Sequence, residues 1–260
     1  MTPGTATQPR EAAADNALHA EQVRLLFRFS LVGYLATLLV IFILGAILWS
    51  DLSPPLFAWF VAVALVTIGR YLIYKAFAAS GAPDEQMPGW ERRFIGGTIL
   101  AGLCWMALGT VLLPGSAQMV QRLTVVMLVT LLMTGAVAYY APHRYAYKIT
   151  AFLGLVPLAV TLGSSNDRNQ MFISGVILLL AGGLPYVHAI VHRSLVESLT
   201  TRRARDALNE QLTSERTRLQ EANLALAEEM IGRLRAQEGE LVAGQRLRLH
   251  FERTPLAVIE

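Results

Sequence analysis

The chain has 260 residues, of which 54% are hydrophobic and only 16% charged, against about 25% charged residues in a soluble globular domain. That deficit excludes a disordered chain and argues against an ordinary soluble enzyme. Cys104 is the single cysteine, which excludes an intrachain disulfide and a zinc site made of cysteines alone. The net charge of +3 gives no reason to expect nucleic acid as a partner.

The charge is unevenly placed. Residues 193–253 carry 21 of the 41 charged residues, while 29–192 is nearly charge-free over long intervals. The first part reads as membrane and the second as water-exposed. The predicted fold is therefore an all-α membrane protein, a six-helix transmembrane bundle followed by a long cytoplasmic coiled-coil helix.

In chain order, residues 1–22 are polar and Ala/Thr-rich, and are expected to be disordered. A short amphipathic lead-in through Val23, Leu25 and Leu26 opens the membrane domain, 23–192. A helical span needs about 20 mostly apolar residues, with a range of about 17–25. Six stretches qualify: 29–49, 56–74, 94–113, 123–140, 145–162 and 171–190. Pro54 and Pro55 suit the start of the second, Pro114 stops the third and Pro142 stops the fourth. The fifth holds Lys148 and the second holds Arg70, both near enough to one face for their head groups to snorkel.

Lys and Arg placement sets the orientation. Thirteen basic residues flank one set of span ends, from Arg10 to Arg205, and two, Arg122 and Arg168, flank the other. Six spans with this bias put both termini in the cytoplasm. Tyr139, Tyr140, Tyr145 and Tyr147 fall at the inner interface and Trp49 and Trp59 near the outer one, as interfacial aromatics do.

Within the bundle, Gly97, Ala101, Gly102 and Gly109 form a small-residue stripe suited to close helix packing. Pro157 and Pro185 interrupt the fifth and sixth spans and are candidate hinges. No acidic residue lies inside a span. His188 and His192 share a helix face at i,i+4, and with His143 they are the only candidates for a metal, haem or pH-sensing group. Three unrelated interfacial histidines are the simpler account, so no cofactor or metal is expected.

From 193 to 250 the sequence is a long helix former without proline. Leu208, Leu212, Leu219, Ala222 and Leu226 follow a heptad seam, with Glu215 as a polar defect. Leu224, Ala227, Ile231, Leu234 and Leu241 follow a second register. Mixed charges cover the rest. Such a narrow seam needs a partner helix, most simply a parallel second copy. Membrane lipid and a small or lipophilic ligand are the other expected partners.

The last residues carry two resemblances. His250 to Leu256, H-F-E-R-T-P-L, is similar to the phosphoacceptor box of histidine kinases, H-E-x-R-T-P-L, with Phe251 where the acid belongs. Residues 251–260, F-E-R-T-P-L-A-V-I-E, resemble the entry of a PAS domain without displacement, and the alternation after Pro255 is expected to begin a strand of that domain. Asn223-Leu224, Glu228-Glu229-Met230, Arg233 and Glu238 to Leu241 resemble the signalling helix that precedes PAS modules. The stretch from Trp90 through Gly97 and Gly102 to Trp105 resembles the six-helix sensor regions of the same proteins. The resemblance implies a bacterial inner-membrane signalling protein whose output is a diguanylate cyclase, a cyclic-di-GMP phosphodiesterase or a histidine kinase. No catalytic motif lies in these 260 residues. A small-solute transporter or channel with an oligomerising tail is the alternative, and a membrane enzyme built on the three histidines the third reading.

Overall fold

The computed structural model describes the backbone of residues 8–115 and 117–253. Every regular element among them is helical. The α-helices are α1 (Gln8–Leu48), α2 (Pro54–Ser80), α3 (Met87–Gly109), α4 (Met119–Tyr139), α5 (Ala146–Gly163) and α6 (Arg168–Arg253). The chain divides into two compact units, Met1–Thr200 and Thr201–Glu260.

Five of these helices are long and apolar enough to cross a membrane: α1, α2, α4, α5 and α6. The third expected span falls short. Glu91, Arg92 and Arg93 occupy the start of α3, and the helix stops at Gly109. Its uncharged part, Phe94 to Gly109, is therefore 16 residues, below the usual 17–25 or so. Thr110 leaves helical geometry at φ −121° and ψ −80°, and Leu112 N–H donates back to Ala107 O at 3.1 Å. The last four residues of the expected span thus form an apolar turn.

Other boundaries follow local chemistry. Pro54 and Pro55 open α2, where a missing N–H costs nothing. Gly81 ends it at φ +53°, a left-handed position that favours glycine. Helix α1 begins at Gln8, inside the stretch expected to be disordered. Ala20, Val23, Leu26 and Phe27 are buried and pack with Ala82, Met87 and Phe94, so this lead-in belongs to the bundle. Both α5 and α6 continue as helices through Pro157 and Pro185.

The first unit is held by two apolar clusters. One joins Leu44, Leu48, Trp59, Trp105, Leu108, Val129, Leu155 and Leu158. The other is aromatic: Phe27 stacks on Phe77 at 4.1 Å and meets Phe94 at 5.3 Å, and Phe94 meets Tyr140 at 6.1 Å. Helix α3 packs on α2 and α5, and α1 packs on α4 and α2. In lipid these contacts gain little from leaving the solvent, so close packing must hold them. The glycines of α3 supply it. A Cβ on Gly102 would lie 2.7 Å from Leu153 Cδ1, and one on Gly109 3.2 Å from Leu158 Cβ. A Cβ on Gly97 would meet Arg70 Cγ at 2.9 Å. Ala101, between them, is half-buried.

Hydroxyls in the apolar helices bond their own backbone, as Thr67 does to Val63 O at 2.7 Å and Thr98 to Phe94 O at 3.0 Å. Such local bonds satisfy the hydroxyl within its own helix, with Thr130 Oγ1 and Tyr147 Oη as buried exceptions that have no partner. Among the bonds that tie helices together, Trp59 Nε1 donates to Cys104 O and Ser174 Oγ to Ala159 O, each at 2.7 Å. Trp59 is therefore buried within the bundle. Trp49 is three-quarters exposed. Tyr140 and Tyr147 are likewise buried, while Tyr145 is exposed.

The second unit is a helix through Arg253. Leu208, Leu212, Leu219, Leu226, Ile231, Leu234 and Leu241 are all 49–69% exposed. Ion pairs Glu215–Arg218 at 3.2 Å and Glu229–Arg233 at 2.6 Å decorate it. Thr254 to Glu260, which carry most of the PAS-like pattern, lie outside the described residues.

Candidate functional site

The turn between α4 and α5, residues 140–145, is gripped from three sides. His188 on α6 places Nε2 3.1 Å from Tyr140 O, and His192, one turn on, places Nδ1 2.8 Å from Ala141 O. A carbonyl only accepts, so both ring nitrogens donate. The i,i+4 spacing predicted from sequence thus clamps two consecutive carbonyls just past the end of α4, and Tyr140 O also accepts the backbone N–H of His143 at 2.9 Å. His188 is stacked on Tyr147 with centroids 4.9 Å apart.

His143 lies in the turn itself. Its Nδ1 accepts the backbone N–H of Tyr145 at 3.1 Å and of Ala146 at 2.9 Å, so it caps the orphan donors that start α5. That fixes the tautomer: Nε2 carries the proton and donates to Glu91 Oε1 at 2.8 Å. The second oxygen, Glu91 Oε2, lies 3.2 Å from His19 Nε2. One carboxylate on α3 therefore joins α1 to the α4–α5 turn. His19, Glu91, His143, Arg144 and His192 line a cavity of about 250 Å³.

The three predicted histidines are neighbours of one turn but do not converge on a point. Each is engaged with a different group. Among the described residues, no three His, Cys, Asp or Glu side chains gather into a metal-binding set. Glu91 and His19 were not legible as partners. They stand 72 positions apart, and the available signal was one acid, Glu91, set among basic residues at a span end.

Arg70 also departs from expectation. It does not snorkel freely: Nη2 donates to Tyr140 Oη at 3.2 Å, and its guanidinium lies 4.9 Å from the Tyr34 ring centroid. Its Nε is buried without a partner. Tyr140 thereby links Arg70 on α2 to His188 on α6, through its hydroxyl and its carbonyl respectively.

No protein family, curated protein or solved structure matches the chain.

Burial lowers the His143 pKa below the ordinary 6.5, against the opposing pull of Glu91. The cap works the same way, since a protonated Nδ1 would face two N–H donors. The native state therefore binds this proton less readily than the unfolded chain. Stability from this group is complete above about pH 6.5, and is lost as pH falls from there toward the depressed native pKa. The slope is at most about 1.4 kcal/mol per pH unit for one proton. Thermal unfolding of the detergent-solubilised chain should thus fall between pH 7.5 and 5.5. His143→Asn, which keeps an acceptor and loses the titration, should flatten that fall. An equal fall in the variant would assign it to other groups.

Proposed function

We propose that the apolar bundle is a membrane-embedded input module and that the charged helix relays its state as a parallel dimer to a cytoplasmic output domain. One observation carries this reading. A single helix, α6, holds an apolar stretch ending near Ile190 and then, from Arg193, a charged sequence with an exposed leucine seam. A seam of this kind gains by burying itself against a copy. In this reading the switchable element is the α4–α5 turn, held through His143 by Glu91 of α3, which also pairs with His19 of α1, and by His188 and His192 of α6.

In this proposal α3 is the sixth crossing, its short apolar stretch compensated by packing against α2 and α5. Six crossings and the basic-residue bias favour both termini in the cytoplasm of a bacterial inner membrane. The PAS-like pattern at 251–260 favours a PAS module next, with cyclic-di-GMP turnover or phosphorelay as the output. Signalling would consist of a change in rotation or register of the paired helices, biased by two packings of the bundle. The two overlapping seams provide the alternative registers.

Single cysteines placed along positions 208–241 in a Cys104→Ala background test it in liposomes. Disulfide cross-linking should peak at Leu212, Leu219 and Leu226 in one state and shift toward Ile231, Leu234 and Leu241 in another. The states would be set by bilayer thickness, by pH or by Glu91→Gln. No cross-linking along the seam would remove the dimer. One pattern under every perturbation would leave a static coiled coil and end the relay reading.

A further inference from the structure

A cavity of about 610 Å³ opens beside the α4–α5 turn, lined by Arg144, Lys148, His188, His192, Arg193 and Glu197, with Ala189, Val196 and Thr200. The α6 residues Ala189, His192, Arg193, Val196 and Thr200 recur every three or four positions, so one face of the helix forms a wall. Three of the lining residues are cations and one is an acid. Among the described residues, Arg144, Lys148 and Arg193 make no ion pair. Arg144 and Lys148 instead lie over the Tyr145 ring, at 5.4 and 5.8 Å from its centroid.

A second observation is independent of the charge. His188 is fully buried, and its Nδ1 has no hydrogen-bond partner. Because Nε2 donates to Tyr140 O, Nδ1 of the neutral ring is an acceptor without a donor. A buried acceptor without a donor is destabilising, and a ligand hydroxyl would satisfy it. The cavity lies where the uncharged part of α6 gives way to charge at Arg193. The neighbouring Val187 and Val191 are exposed apolar residues that suit acyl chains.

We propose that this cavity is a headgroup site for an anionic glycerophospholipid. Its phosphodiester sits among Arg144, Lys148 and Arg193, and a headgroup hydroxyl donates to His188 Nδ1. Basic pockets at the inner side of transmembrane helices suit such headgroups. The membrane supplies this ligand at high local concentration, and the apolar flank distinguishes it from a soluble phosphate. The proposal needs only that the bundle lies in a bilayer. It does not depend on the relay reading.

Native mass spectrometry of the full chain tests it, with phosphatidylglycerol, phosphatidylcholine, phosphatidylmethanol and inorganic phosphate as probes. One phosphatidylglycerol per chain should be retained, with at least a tenfold preference over phosphatidylcholine. Arg144→Gln, Lys148→Gln and Arg193→Gln together should remove that preference. The charge-matched set Arg28→Gln, Lys75→Gln and Arg92→Gln, at exposed positions elsewhere, should keep it. His188→Phe should weaken phosphatidylglycerol severalfold while leaving phosphatidylmethanol, which has no headgroup hydroxyl, unchanged. Circular dichroism and gel filtration check that each variant is folded. Equal losses in both triple variants, or no headgroup preference in the parent chain, would overturn the site. Displacement of phosphatidylglycerol by millimolar inorganic phosphate would reassign it to a soluble anion and overturn the lipid assignment.

Discussion

Replacing Leu212 and Leu219 with Asp should convert the full chain from dimer to monomer. Both side chains are about 60% exposed in the single chain, yet both lie on the first seam, seven residues apart. A parallel pair would bury two copies of each, so the double variant removes four leucines from one interface. Burying a leucine fully gains about 1.5–3 kcal/mol, and a two-stranded seam recovers part of that. A loss of about 6 kcal/mol is the reasonable scale, or roughly a 10⁴-fold weaker dimer. Four buried carboxylates in place of leucines add a desolvation cost. Asp at Thr213 and Thr217 adds the same charge to the same stretch of helix, away from the seam, and should leave the dimer intact. Size-exclusion chromatography with light scattering reads the outcome directly. A parent chain that is already monomeric, or a double variant that dimerises as the parent does, would refute the paired tail.

Much of the helix layout was legible because charge and hydropathy change sharply at span ends. Pro54-Pro55 marked the start of α2, and Arg193 marked where the uncharged part of α6 stops. Two boundaries were hidden for physical reasons. Residues 110–113 are apolar, and composition cannot distinguish an apolar helix end from an apolar turn. The exit from helical geometry at Thr110 shortens α3 below membrane length. At the other end, Ala12 to Ala14, Ala17 and Ala20 are strong helix formers. Their polar neighbours suggested disorder, while the helical pattern placed Ala20 and Val23 on a face that Met87 and Phe94 cover.

The candidate site was legible only in its local half. The i,i+4 pair His188 and His192 and the turn around Pro142 can be read from spacing. What those rings touch cannot, because backbone carbonyls leave no trace in side-chain pattern. Glu91 is a further case: its partners His19 and His143 lie on separate segments, and only the packing of α1, α3 and the α4–α5 turn unites them. Arg70 shows the opposite error. Position alone suggested a side chain reaching for the interface, but Tyr34 and Tyr140 offer it a ring face and a hydroxyl within the bundle. A chain with few charged groups in its spans therefore uses tyrosine where a carboxylate would be costly.

Gly102→Leu should be the most destabilising single substitution in the bundle, and Gly96→Leu, six positions earlier on the same helix, should be nearly neutral. A Cβ at position 102 would meet Leu153 at 2.7 Å from Cδ1 and 3.1 Å from Cβ. The second atom is fixed to the α5 backbone, so rotation of Leu153 does not clear it, and α3 and α5 must separate. Overpacking of this kind costs about 1–3 kcal/mol, and more where the backbone must move. In lipid the loss is harder to offset, because close packing is what holds the helices together. Gly96 is exposed, with nothing within 4 Å of an added Cβ, and Leu there gains up to about 1 kcal/mol of helix propensity. Gly154→Ala belongs between them: its nearest neighbours are the Sδ and Cε atoms of Met133 at 2.8 Å, the movable end of a flexible side chain. Thermal unfolding in detergent should rank the three variants as Gly96→Leu, then Gly154→Ala, then Gly102→Leu, with the last at or beyond loss of the folded bundle. If Gly96→Leu and Gly102→Leu unfold alike, the α3–α5 contact does not carry the packing, and α3 is held by α2 instead.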